Sequence, residues 1–203
     1  MNRKSRLPQV YLMKTLRVVD KAWDAAMNVL QYLISRIFHT HMESSEFSPT
    51  LRDYVLAIIK LGSKGGEFRY KTKIHKIIFL ITQEFGLKVA TFIPYHFGPW
   101  SPEVDDVLNE LIREGLLKLD VSTREEIDGA KHTGKVYSFR ITKSGEVEAR
   151  RALAVIQPEI RKRIEELAKW DLWKLIGYVY VRYPHYATHS AIADDELRVT
   201  QYR

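Results

Sequence analysis

The sequence contains no cysteine. That absence removes disulfide bonds, thiolate metal sites and cysteine nucleophiles together, and it fits a reducing compartment. No apolar run approaches the roughly 18 residues that a membrane span requires. The basic N-terminus lacks the uninterrupted hydrophobic stretch of a secretory signal. The expected location is therefore the cytoplasm, with no membrane partner. Internal repeats and low-complexity tracts are also missing. So are a glycine-rich phosphate loop, a GxSxG elbow and an HExxH zinc motif. His185 and His189 have the spacing of a helical metal pair, but they follow a proline at a helix end and lack a third ligand. His39 and His41 flank a linker and point to a metal no more strongly. The sequence thus predicts no enzyme, no metal and no cofactor.

What is present is charge and an ordinary share of apolar residues. Of 203 residues, 32 are Lys or Arg and 25 are Asp or Glu, a formal net charge of +7. A basic balance of this size favours acidic partners such as nucleic acid, although a solvated surface explains it equally well. Hydrophobic residues make up 45%, enough for a sizeable core.

The pattern divides the chain into three parts. Residues 1–46 form an N-terminal helical extension. Leu12, Leu16, Val19, Trp23, Ala26, Leu30, Leu33 and Ile37 alternate at spacings of three and four, the seam of a helix that packs on another helix. This predicts a homodimer, with docking on the chain's own body as the alternative. Residues 47–156 form the main domain. A polar linker with Ser48 or Thr50 as cap leads into a helix from about Leu51 to Leu61, which GSKGG stops. A second helix follows, with Thr72 as its cap and Ile74, Ile77, Ile78, Ile81 and Phe85 as its stripe. Gly98-Pro99 reads as a turn. Ser101 then caps a third helix, with Pro102 at its first position and Gly115 at its end. Leu116 to Val121 reads as a strand, TREEIDGAKHTGK as a loop, and Val136 to Thr142 as a second strand. Residues 157–203 form a C-terminal helical segment, with Pro158 and Asp171 starting two helices.

Three helices, a strand, a loop, a strand and a further helix is the order of a winged helix-turn-helix. The segments TKIHKIIFLI, PYHFGPWSPEV, LIREGLL and YSFRITKSG resemble a prokaryotic family that includes YwgA-like proteins and the Panacea domain of SocA-like antitoxins. The resemblance covers about Leu51 to Arg150. It implies a winged-helix fold with a regulatory or toxin-neutralising role. Together with the helical segments on either side, the expected fold is mainly α with a small β-hairpin wing (α+β), a winged helix-turn-helix core with N-terminal and C-terminal helical extensions.

Two functional readings follow. In the first, the protein is a DNA-binding transcriptional regulator. A winged helix places its third helix in the major groove. Here the outer residues of that helix are Glu103, Asp105, Asp106, Asn109, Glu110 and Arg113, and carboxylates repel a polyanion. The expected phosphate contacts therefore fall elsewhere, on Lys64, Arg69, Lys71, Lys73 and Lys76 around the second helix and on Lys131, His132 and Lys135 in the wing. Lysines crowding a helix N-terminus oppose its dipole, which is itself a mild functional hint. On this reading, charge reversal at Lys73 and Lys76 weakens duplex binding and flattens its salt slope. In the second reading the protein is an antitoxin-like interaction module. Tyr95, Phe97, Trp100, Glu103, Asp106 and Glu110 then grip a partner protein, against the alternative that the aromatics plug the core.

Overall fold

The computed structural model describes residues 48–127, 130–188 and 190. The N-terminal extension, with the heptad-like seam, His39 and His41, lies outside the described residues, as do His189 and the side chains of residues 124–133. Among the described residues no helix is long and apolar enough to cross a membrane.

The described residues are mainly helical with small antiparallel sheets, an α+β arrangement. The first described helix, α1 (Leu51–Gly62), starts at a complete capping box. The Asp53 N–H donates to Thr50 Oγ1, and Asp53 Oδ2 accepts the Thr50 N–H at 2.9 Å. Two otherwise unsatisfied donors are thereby paired. Asp53 is itself buried and takes Arg151 Nη2 at 3.0 Å, which ties the cap to a helix about a hundred residues later. Thr50→Ala should lower stability by about 1 kcal/mol, measured as a fall in the urea midpoint with unchanged slope.

After α1, Gly65 and Gly66 adopt left-handed φ values of 61° and 81°, and the chain reverses into β1 (Phe68–Arg69). The helix exit itself does not use these glycines, because Ser63 is extended there. Next comes α2 (Lys71–Phe85), ended by Gly86 at φ 66°. A short hairpin, β2 (Ile93–Tyr95) and β3 (Gly98–Trp100), leads to α3 (Pro102–Arg113). Gly98-Pro99 thus belongs to a strand, and the reversal falls on His96 and Phe97, with Tyr95 opposite Gly98.

Strands β4 (Leu117–Ile127) and β5 (Ala130–Ile141) form a hairpin much longer than the sequence suggests. The polar stretch expected as a loop is mostly paired strand, because ladder bonds between backbones do not need apolar side chains. The sheet order is β1-β5-β4, with Phe68 opposite Phe139 and Leu117 opposite Ile141. Helices α4 (Lys143–Val155), α5 (Pro158–Lys169) and α6 (Leu172–Arg182) follow, with a 3₁₀ turn at Pro184–Ala187.

Helices α1 and α2 are buried on nearly all sides. Residues 54–59 and 74–82 are buried without a break, whereas the sequence pattern indicates a stripe on each. The difference arises because α4, α5 and α6 pack over the remaining faces, and a helix enclosed on every side is apolar all round. Buried residues of α5 and α6 belong to one cluster with those of α1 to α4. Phe79 centres an aromatic group, with Phe92, Tyr183 and Tyr186 edge-on at 4.7–5.3 Å. Arg163 on α5 grips Glu84 on α2 through two bonds of 2.8 Å.

Candidate functional site

The start of α2 gathers four basic side chains within six residues, Lys71, Lys73, His75 and Lys76. The fold uses each of them. Lys73 Nζ donates to the carbonyls of Ala168 and Trp170 at 3.1 and 2.6 Å, so it caps the C-terminus of α5, where a cation is favoured. Lys71 Nζ donates to Asp105 Oδ2 at 2.9 Å and lies 5.3 Å from the Tyr137 ring centroid. Lys76 is 2% exposed, and its Nζ donates to the Pro99 carbonyl at 2.9 Å. Burial pushes the Lys76 ammonium down from 10.5 to about 7. Among the described residues no carboxylate lies within salt-bridge reach of it.

His75 is equally buried and has both ring nitrogens engaged. Nε2 meets Asp105 Oδ1 at 2.9 Å, and Nδ1 accepts the Ser101 N–H at 3.3 Å. An Nδ1 that accepts leaves Nε2 as the donor, which fixes the neutral tautomer. Burial lowers the His75 pKa and outweighs the opposing effect of Asp105. Burial also works against the charged form of Asp105, but the bonds from His75 and Lys71 outweigh it and hold the carboxyl below its usual range. Asp105, expected on the outer face of α3, therefore faces α2 and locks the two helices together. Trp100 stacks on His75 at 6.1 Å and 24°.

Between these groups lies a cavity of about 260 Å3. Its floor is the start of α2, one wall is the β2–β3 hairpin, another is β5, and α6 closes the far side through Trp173 and Ile176. Tyr70, which enters α2, lines it with φ 73° and ψ 103°. A bulky residue at positive φ is strained by about 1–3 kcal/mol and persists only where its surroundings over-determine it. Here the Tyr70 N–H donates to Tyr137 O, and the Lys73 N–H donates back to Tyr70 O. This geometry replaces the expected Thr72 cap, because α2 begins two residues earlier than that cap implies and has no side-chain cap. Gly98, at φ 88°, lets the hairpin approach α6, since a Cβ there would lie 2.8 Å from Tyr180 Cε1.

The residues expected to contact phosphate are thus dispersed. Lys76 is enclosed, while Lys71 and Lys73 hold internal partners. Lys64 is exposed beside the Gly65–Gly66 turn, and Arg69 stands 3.7 Å from Glu67 and over the Tyr70 ring. Lys135 is exposed on β5, and the side chains of Lys131 and His132 lie outside the described residues. Of the residues expected to bind a partner, Tyr95 and Trp100 are adjacent, with ring centroids 5.2 Å apart, and Phe97 joins them at the cavity. Glu103 is engaged locally, accepting from Ser101 Oγ at 2.6 Å and from the Thr91 N–H at 3.3 Å. Asp106 and Glu110 are exposed on α3. Tyr70, Tyr137 and Trp173 had no signal as site residues, since nothing in the local sequence marks a strained backbone or a shared wall. Among the described residues no cluster of His, Asp and Glu has metal-binding geometry. No protein-family model matches the chain, and no curated protein matches it at a significant level.

Proposed function

We propose that the described residues form a winged-helix module that binds a partner protein through the β2–β3 aromatics and the outer face of α3. The winged-helix reading is supported by the order of three helices and a hairpin, with two-residue β1 as a third strand against β5. It is also the fold that the resemblance to YwgA-like and Panacea-domain proteins implies. The observation that carries the partner reading is the fate of the α2 lysines. All three have protein partners, so the surface beside α3 loses the cations that a groove-reading helix needs next to it. What α3 presents is Asp106, Asn109, Glu110 and Arg113, and exposed Tyr95 and Ile93 stand on the preceding hairpin. Aromatic anchors beside carboxylates suit a partner surface with an apolar pocket and basic rim. The role is regulatory and non-enzymatic, as for an antitoxin.

A second reading, DNA binding through the hairpin, is favoured by exposed Lys118, Lys135 and Arg140 on β4 and β5. An electrophoretic shift with genomic fragments across a salt series separates the two. The partner reading expects only weak, non-specific retardation that vanishes by physiological salt. It also expects that D106K/E110K abolishes co-purification with the product of a neighbouring reading frame, co-expressed from the same plasmid. Sequence-selective retardation that survives physiological salt and is lost in K118E/K135E/R140E would replace it with the DNA reading.

A further inference from the structure

We infer that the cavity between α2, the β2–β3 hairpin, β5 and α6 is a binding site for a small planar aromatic carboxylate. Three observations converge on that chemistry. First, among the described residues the cavity lining includes Lys71, Lys76 and Lys135 and no carboxylate. Asp105, although bonded to His75 and Lys71 of the lining, is not part of it. Anions are therefore favoured and cations disfavoured. Second, the walls are flat and apolar, with Trp100, Tyr137 and Trp173 on separate elements, so a ring entering between them stacks on at least one face. Third, Lys76 is an enclosed lysine whose single partner among the described residues is a neutral carbonyl. An ammonium has three protons to donate, and a buried charge with no counter-ion is costly. A carboxylate placed beside Nζ supplies the counter-ion that the fold withholds.

The strained Tyr70 backbone adds a fourth point. Strain of this kind collects at binding sites, and Tyr70 joins the cavity floor to the β5 wall through its bond to Tyr137 O. About 260 Å3 suits one or two fused rings rather than a dinucleotide, near the lower end of the range for small-molecule sites. This site is distinct from the exposed carboxylates of α3. It gives the module an effector pocket directly behind the hairpin aromatics, so that occupancy and partner engagement share Tyr95 and Trp100.

The test uses the full chain and isothermal titration with 2-naphthoate as probe. Saturable binding at one site is expected, with acetate, 2-naphthylmethanol and 2-naphthylmethylammonium each at least tenfold weaker. Lys76→Met should fold normally and weaken 2-naphthoate by at least tenfold. Lys135→Glu, at an exposed position where folding is not at stake, should weaken it severalfold. D106K/E110K should leave probe binding unchanged, which separates this site from the partner surface. Equal binding of the neutral alcohol, unaltered affinity in both lysine variants, or no binding at millimolar probe would each overturn the assignment.

Discussion

Lys76→Met is expected to make the protein more stable. An ammonium held at about 7 instead of 10.5 costs the folded state about 5 kcal/mol below pH 7, at about 1.36 kcal/mol per pH unit. Methionine keeps much of the unbranched stem and removes the charge, leaving the Pro99 carbonyl without its donor at a cost of about 1–3 kcal/mol. A net gain of about 2 kcal/mol or more remains at pH 6. The sign follows from proton binding. Between pH 7 and 10.5 the unfolded chain holds the Lys76 proton and the folded chain has released it, so wild-type stability rises with pH across that window. The advantage of the variant is therefore largest below pH 7, vanishes at about pH 8–10, where the shrinking charge penalty equals the cost of the lost Pro99 bond, and reverses towards pH 10.5. Urea midpoints at pH 6 and pH 9.5 measure both quantities. A variant less stable than wild type at pH 6 would show that Lys76 is not an uncompensated buried charge.

Gly145→Ala is expected to give the largest loss at a single methyl group. A Cβ built there lies 2.1 Å from Leu116 O and 3.0 Å from Ile141 Cγ2. The first contact is with backbone, which cannot swing aside as a side chain does. The same glycine donates its N–H to Thr142 Oγ1 in the cap of α4, so a shift that relieves the clash also pulls the cap apart. Overpacking of this kind costs about 3 kcal/mol, and a lost cap adds about 1 kcal/mol. The fall in thermal midpoint should be accompanied by an unchanged helical signal at low temperature. Ser144→Ala, one residue earlier and exposed, should be near neutral. A loss from Gly145→Ala no larger than from Ser144→Ala would mean that α4 does not sit this close to the start of β4.

Local signals in the sequence located most of the helices, because their caps are local. Thr50 with Asp53, Pro102, Gly115, Pro158 and Asp171 each act within one turn of their own element, so reading residues three and four apart is enough. The hairpin was underestimated for the opposite reason. Its outer half has no apolar alternation, and its pairing partner is supplied by the other strand. The site was legible in part. The lysine cluster at the start of α2 stood out as a violation of the helix dipole, and that violation does mark the cavity. Its cause is tertiary, however. Lys73 answers to a helix end almost a hundred residues away, Lys71 to Asp105, and Lys76 to the carbonyl of Pro99. Long-range partners of this kind leave no periodic trace. Asp105 shows the same limit, since a carboxylate in the first turn of a helix suits the dipole wherever it points.

The storage of three cations at the start of α2 has a practical corollary. Lys71, Lys73 and Lys76 are withheld only while α3, α5 and the β2–β3 hairpin stay docked. Partial opening of any of them releases positive charge into solvent. The opened chain is therefore stickier towards polyanions than the native one, and heparin or duplex DNA should lower the midpoint of thermal denaturation by trapping it. A retarded band that strengthens as the sample is warmed reports damaged protein rather than recognition. Shift assays on this protein call for a parallel melting curve in the same buffer.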